Sequence, residues 1–134
     1  MTKPMVPEVH HLAYVARDID RSIRLWQAAA GAEVEMPRTR MAADNVDVCF
    51  LVFPGGRVEL VQPCDPDEAA RRDREAAGHP DHVCFVCDDF EQRVAGARDQ
   101  GGIVVRGPVA SEAFGKRMCF VLYPAMGLVE WVER

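Results

Sequence analysis

The chain has 134 residues, of which 49% are hydrophobic and 28% charged, and its formal net charge is −5. That length suits one domain spanning 1–134, with a core that needs no disulfide or structural metal to close, and the acidic balance excludes the basic surface that nucleic acid or an anionic membrane requires. No apolar run approaches the ~18 residues of a membrane span, the opening Met1–Glu8 carries no apolar signal segment, and five cysteines, an odd number, predict reduced thiols in the cytoplasm.

Leu12-Ala13-Tyr14-Val15-Ala16 is a short apolar run whose length favours a strand. Asp18 follows as an N-cap, and Ile19, Ile23 and Trp26 at i, i+4, i+7 predict an amphipathic helix closed by Gly31. Strands are expected over Val46 to Phe53 and Val58 to Gln62, joined by the turn Pro54-Gly55-Gly56. Residues 64 to 81 are charge-rich and read as a linker, with a short exposed helix over Ala69 to Ala77. Val83 to Cys87 is again an apolar run, and Asp89 with Gln92 three residues on reads as a capping box. Phe90, Val94 and Ala97 then predict a helix closed by Gly101-Gly102. Strands follow over Ile103 to Arg106, Met118 to Tyr123 and Leu128 to Val132, with Pro124-Ala125-Met126-Gly127 as the turn between the last two.

The second half repeats the first at an offset of 71 residues. Val9-His10-His11-Leu12-Ala13-Tyr14-Val15 aligns with Pro80-Asp81-His82-Val83-Cys84-Phe85-Val86, and Val58-Glu59-Leu60-Val61 aligns with Val129-Glu130-Trp131-Val132. Module one covers about 8–63, the linker about 64–79 and module two about 80–134. His11 to Glu59 is a separation of 48, and His82 to Glu130 is again 48.

Strand side chains alternate faces. Leu12, Tyr14, Val83 and Phe85 suit the face packed on the helices, so His11 and His82 project from the opposite, concave face. Glu59 and Glu130 stand in otherwise apolar strands, where an unpaired carboxylate is costly to bury. A single histidine or glutamate at such a position is ordinarily a surface residue, but independent surface residues have no reason to obey a repeat. His11, Glu59, His82 and Glu130 therefore form a candidate four-ligand site for one divalent ion, with cobalt, nickel, manganese, zinc and iron all compatible. Other signals carry less. Cys84 and Cys87 are spaced as Cys-x-x-Cys, yet on a strand they face opposite ways and read as buried thiols. His10 should point to the helix side, His79 lies in the linker, and Trp26 and Trp131 read as packing residues.

Val9–Val15, Arg57-Val58-Glu59-Leu60, Asp81–Val86 and Gly127-Leu128-Val129-Glu130 resemble the vicinal oxygen chelate superfamily, which includes glyoxalase I, methylmalonyl-CoA epimerase, extradiol dioxygenases and fosfomycin-resistance enzymes. The resemblance covers nearly the whole chain. It implies an α+β fold, in which two pseudo-symmetric βαβββ modules form a cupped mixed β-sheet (the glyoxalase/bleomycin resistance/dioxygenase fold). It also implies that His11, Glu59, His82 and Glu130 hold the metal and that the protein is a homodimer. The segment Gly115–Pro124 running into Gly127–Glu130 is similar to the closing segment of the methylmalonyl-CoA epimerases. Two departures stand out. Asp81-His82 occupies the place of a common double histidine, and Ala43 occupies the place of a base glutamate, with Asp44 adjacent as a substitute.

The expected function is a metal-dependent epimerase or isomerase acting on a small carbonyl substrate such as a CoA thioester. Two glutamates balance a divalent ion, an enolate bound there is stabilised by the metal as a Lewis acid, and Glu130 or Glu59, with Asp44 as partner, moves the proton. Arg38, Arg40, Lys116 and Arg117 are candidates for holding an anionic substrate tail. A glyoxalase I-like lyase and a polyol-ketone epimerase are the nearest alternatives. Oxygenase chemistry needs an open two-histidine, one-carboxylate face, which a fourth strong ligand disfavours. An antibiotic-binding or thiol-transfer resistance protein is the alternative of another class, and pure sequestration needs no retained ligands.

Overall fold

The structure, a computed structural model, describes residues 6–134. It divides into two units, His11–Asp81 and His82–Arg134, the second taking in the segment before His11. The strand β1 (Glu8–Val15) leads into α1 (Ile19–Ala30), β2 (Glu33–Met41), β3 (Val46–Phe53) and β4 (Gly56–Pro63). After α2 (Pro66–Ala76) come β5 (His82–Cys87), α3 (Phe90–Gly96), β6 (Ile103–Ala110), β7 (Arg117–Tyr123) and β8 (Gly127–Glu133). Strand order is β2-β3-β4-β1 in the first unit and β5-β8-β7-β6 in the second. β1 pairs parallel with β4 and β5 with β8, while all the other pairs are antiparallel. This is the mixed α+β architecture of two βαβββ modules.

The repeat extends to the hydrogen-bonding register. Leu12 pairs with Val58 and Ala13 with Glu59; 71 residues on, Val83 pairs with Val129 and Cys84 with Glu130. Each helix covers one sheet face. Ile19, Leu51, Leu60, Cys49 and Val58 form the buried core under α1, joined by Tyr14, Ile23 and Trp26. Phe90, Ala97, Val121, Val129, Cys119 and Trp131 form its counterpart under α3. α1 is closed as expected, with the Asp18 carboxylate accepting from the Arg21 amide at 3.1 Å and Gly31 at φ 67°.

Several elements depart from the sequence reading. β2 is a full strand where none was expected, because Glu33-Val34-Glu35-Met36-Pro37-Arg38-Thr39-Arg40 is exposed at nearly every position and shows no apolar alternation. Its Pro37 lacks an amide hydrogen, and the pairing with β3 shifts register on both sides of Met36. Asp89 does not cap α3: its backbone is not extended, and its carboxylate instead accepts from Arg93 Nε at 2.7 Å. α3 ends at Gly96, and the residues up to Gly102 continue as tighter turns. The linker is not a loose tether. Asp65 caps α2 through Oδ1, and Ala69 is buried where that helix packs on β4. Leu12 is 38% exposed, whereas Tyr14 on the same face lies against Trp26 with ring centroids 5.3 Å apart. Among the described residues, no helix is long and apolar enough to cross a membrane.

One buried charge holds β2 to β3. Asp47, 7% exposed, accepts from Arg38 Nε at 2.8 Å and from Arg40 Nε, while Arg38 Nη1 also reaches Asp20 of α1 at 2.8 Å. The Arg40 and Arg38 guanidinium groups hold the Asp47 carboxyl below the usual carboxylate range, against the opposing effect of burial. A lowered folded pKa means that the stabilisation is complete above the unfolded value near 4 and disappears as pH falls through the folded value. Asp47→Asn is therefore expected to cost about 1–2 kcal/mol at pH 7, both arginines being partly solvated. Urea titrations should show that gap closing as pH drops below about 4; a gap of equal size at pH 3 would show that the carboxylate charge is not its source.

Candidate metal centre

Each unit contributes one histidine–glutamate pair by the same construction. In a parallel ladder, a residue two positions before a paired position lies on the same face. His11 thus shares a face with Ala13, which pairs with Glu59, and His82 shares one with Cys84, which pairs with Glu130. His11 Nε2 lies 3.5 Å from Glu59 Oε1, and His82 Nε2 lies 3.3 Å from Glu130 Oε1. All four side chains are buried, His11 at 1% exposure and Glu130 at 5%.

An aromatic ring backs each imidazole. Phe50 meets His11 edge-on with centroids 5.3 Å apart, and Phe120 meets His82 at 4.9 Å. Phe50 pairs with Glu59 on β4, and Phe120 pairs with Glu130 on β8. In the second unit the same face continues as Cys84, Met118 and Val132, with Val86 and Phe114 against them. Each pair thus sits beside apolar and aromatic side chains, and an imidazole nitrogen with a carboxylate is a donor pair suited to a divalent ion and costly to bury without compensation.

The other candidates lie elsewhere. Asp44 is exposed in the short turn Ala42–Asp44 between β2 and β3. From the Phe50–Glu59 pair to the Val46–Pro63 pair is four residues, and the turn lies beyond Val46, so it is more than about 13 Å along the strands from Glu59. Arg38 and Arg40 are bound to Asp47, which alternates onto the α1 side with Cys49 and Leu51. Arg117 binds Glu133 at 2.9 Å and Glu91 at 3.1 Å, and its guanidinium carbon lies 5.1 Å from the centre of the Phe90 ring, on the α3 side. Lys116 is exposed in the turn ahead of β7. Burial pushes the thiols of Cys49, Cys87 and Cys119 up, so these are packing groups and not thiolate nucleophiles. Cys84 and Cys87 fall in opposite core clusters, as strand alternation requires.

With this geometry in hand, comparison with known proteins is informative. The sequence profile of the Glyoxalase/Bleomycin resistance protein/Dioxygenase superfamily matches residues 10–120. The chain belongs to this superfamily. It is 26% identical over 124 residues to the ethylmalonyl-CoA/methylmalonyl-CoA epimerase of Cereibacter sphaeroides, covering 87% of this chain and 89% of that one. A hypothetical protein of Bacillus halodurans shares the fold with a TM-score of 0.79 at 16% identity, covering 96% of this chain and 94% of the other. The methylmalonyl-CoA epimerase of Mycobacterium tuberculosis gives 0.73 at 18%, covering 93% and 86%. A variant of the Streptomyces coelicolor epimerase, in complex with 2-nitronate-propionyl-CoA, gives 0.73 at 21%, covering 97% and 98%.

Within this superfamily member, Phe50 and Phe120 are the site-face residues that the sequence reading missed. The Pro124–Gly127 turn is one residue longer than Pro54-Gly55-Gly56, so strand residues ahead of the turns repeat at 70. An ungapped offset of 71 aligns Phe50 with Val121 and hides the match. A repeat search allowing one gap would have found it.

Proposed function

We propose that this protein is a divalent-metal-dependent epimerase acting at the carbon next to the carbonyl of an acyl-CoA thioester, with His11, Glu59, His82 and Glu130 supplying the ligands. The observation that carries this reading is the buried histidine–glutamate pair, built twice in one register. The similarity to an ethylmalonyl-CoA/methylmalonyl-CoA epimerase over most of both chains supports the substrate class.

The ion, when bound, supplies Lewis acidity to the carbonyl oxygen and so acidifies the neighbouring C–H. The chain's own residues do the rest. Glu130 is the base that takes the proton, with Glu59 as its symmetry counterpart. Phe50 and Phe120 fix the imidazole planes and keep bulk water from the pairs. Both proton transfers are assigned to the glutamates, since Asp44 stands exposed about 13 Å or more along the strands from Glu59. Lys116 is assigned to the anionic tail, since Arg38, Arg40 and Arg117 are already ion-paired.

Elemental analysis of the purified protein should find about one divalent ion per chain. NMR in deuterated water should then show exchange at the carbon next to the carbonyl of methylmalonyl-CoA or ethylmalonyl-CoA. Exchange confined to a hemithioacetal or a cyclic polyol ketone would replace the thioester reading, and metal-free protein that binds its ligand without turnover would replace the enzyme reading. Asp44→Asn is expected to leave the epimerisation rate within about threefold of wild type. A loss of about 100-fold, the ordinary worth of one acid–base group, would bring Asp44 into the proton transfer.

A further inference from the structure

The repeat breaks at the residue ahead of each histidine ligand: His10 precedes His11, and Asp81 precedes His82. The Asp81 carboxylate accepts from Arg72 Nη2 of α2 at 3.3 Å, the two side chains being 24% and 28% exposed. The Asp81 amide donates to the Ala13 carbonyl at 2.7 Å, and Ala13, fully buried, pairs with Glu59. Asp81 is thus tied by its backbone to the row of Glu59 and by its side chain to α2, and His82 follows by one peptide bond.

The segment between α2 and Asp81 is built to bring the chain back to the helix. Ala69, 2% exposed, seats α2 on β4, the strand that carries Glu59. Arg72 lies one turn further along the same side of the helix, with its Nη1 3.8 Å from Glu68. The chain then reverses: Ala77 at φ 50° and Gly78 at φ 80° are both left-handed. The Ala77 amide donates to the Asp73 carbonyl at 3.2 Å and the His79 amide to that of Ala76 at 2.9 Å. Pro80 biases His79 toward extended backbone, and the chain meets Arg72 again nine residues after leaving it.

We infer that Arg72 is a positioning residue for the metal ligand His82, acting through Asp81. This rests on the ligand set proposed above and deepens it. A ligand must be held within about 0.5 Å of its productive place. His82 precedes the first paired residue of the β5–β8 ladder, Val83, so its backbone depends on Asp81 as well as on that ladder. Through space the Arg72 cation opposes a bound dication, so what it supplies is geometric.

The test titrates cobalt(II) into the metal-stripped full chain, following its visible absorption in competition with a chelator. Arg72→Gln and Asp81→Asn should each bind cobalt about 10-fold more weakly, the low end for a group that orients a ligand. The double variant should be no weaker than the poorer single one, since all three lose the same interaction, and Arg72→Lys should recover part of the loss. The urea midpoint of the metal-free chain should stay within about 0.5 M of wild type, the pair being partly solvated. The sign separates position from field: charge alone makes Arg72→Gln bind cobalt more tightly and Asp81→Asn more weakly, and that result would overturn the inference. So would a midpoint falling by more than about 0.5 M together with the affinity. Arg71→Gln, which breaks the Arg71–Glu75 pair on the same helix, should bind as wild type does, and equal weakening there counts against Arg72 as well. Wild type that binds cobalt while Arg72→Gln matches it overturns this inference alone. Wild type that binds no cobalt overturns the ligand set itself, and this inference falls with it.

Discussion

Glu130→Gln is expected to reduce bound metal from about one ion per chain to a small fraction and to slow carbon–hydrogen exchange on the order of 10³-fold. Glutamine keeps the shape, length and burial of the side chain, which is 5% exposed, so the fold should survive and the lost quantity is charge. With one of the two buried carboxylates neutralised, a dication is left one charge short of balance in an apolar surrounding that screens little. The base assigned to the proton transfer disappears at the same time, which is why the activity loss should exceed that of Asp44→Asn. Glu133→Gln is the control. Glu133 lies three residues along the same strand but alternates to the α3 side, where Arg117 holds its carboxyl below the usual range. That variant should retain full metal. Unchanged metal in Glu130→Gln, with wild type loaded, would remove Glu130 from the ligand set. Loss of metal in both variants would point to a general charge effect and not to ligation.

The two histidine–glutamate pairs were legible because the repeat acts on them without a gap. Strands β1 and β4, like β5 and β8, keep an offset of 71 in both sequence and register, so His11 with Glu59 and His82 with Glu130 stand out as a matched set. The helix stripes were legible for the same reason: Ile19, Ile23 and Trp26, and Phe90, Val94 and Ala97, all lie against their sheets. Three things were not legible. β2 is an edge strand exposed at nearly every position, so no alternation marks it. Asp47 falls within an apolar strand pattern, and nothing local reveals that Arg38 and Arg40 return across a hairpin to meet it. Met36 and Arg106 sit beside register shifts, where counting residues along a strand no longer gives the face. Each is fixed by pairing between strands, which periodicity within one strand does not report.

The largest expected effect on stability comes from truncating the core of the His11–Asp81 unit. Leu51 is fully buried among Ile19, Leu60, Cys49 and Val58, with Trp26 and Phe53 packed against the cluster. Leu51→Ala removes methyl and methylene groups from a wall of strand and helix residues that has little freedom to collapse, at a cost of about 2–5 kcal/mol. With a urea dependence of about 1–3 kcal/mol per molar for a chain of this size, the midpoint should fall by about 1–2 M. The molecule carries its own reporters, one tryptophan in each unit: Trp26 lies 5.3 Å from Tyr14 and 6.3 Å from Phe53, and Trp131 donates from Nε1 to the Tyr123 hydroxyl at 3.0 Å. A Trp131→Phe background isolates Trp26, whose fluorescence then follows the unit that was cut. A fall of well under half a molar would mean that the α1 face closes over the vacated volume. A full shift with Leu51→Met restoring most of the midpoint would identify packing volume, and not strand propensity, as the source of the loss.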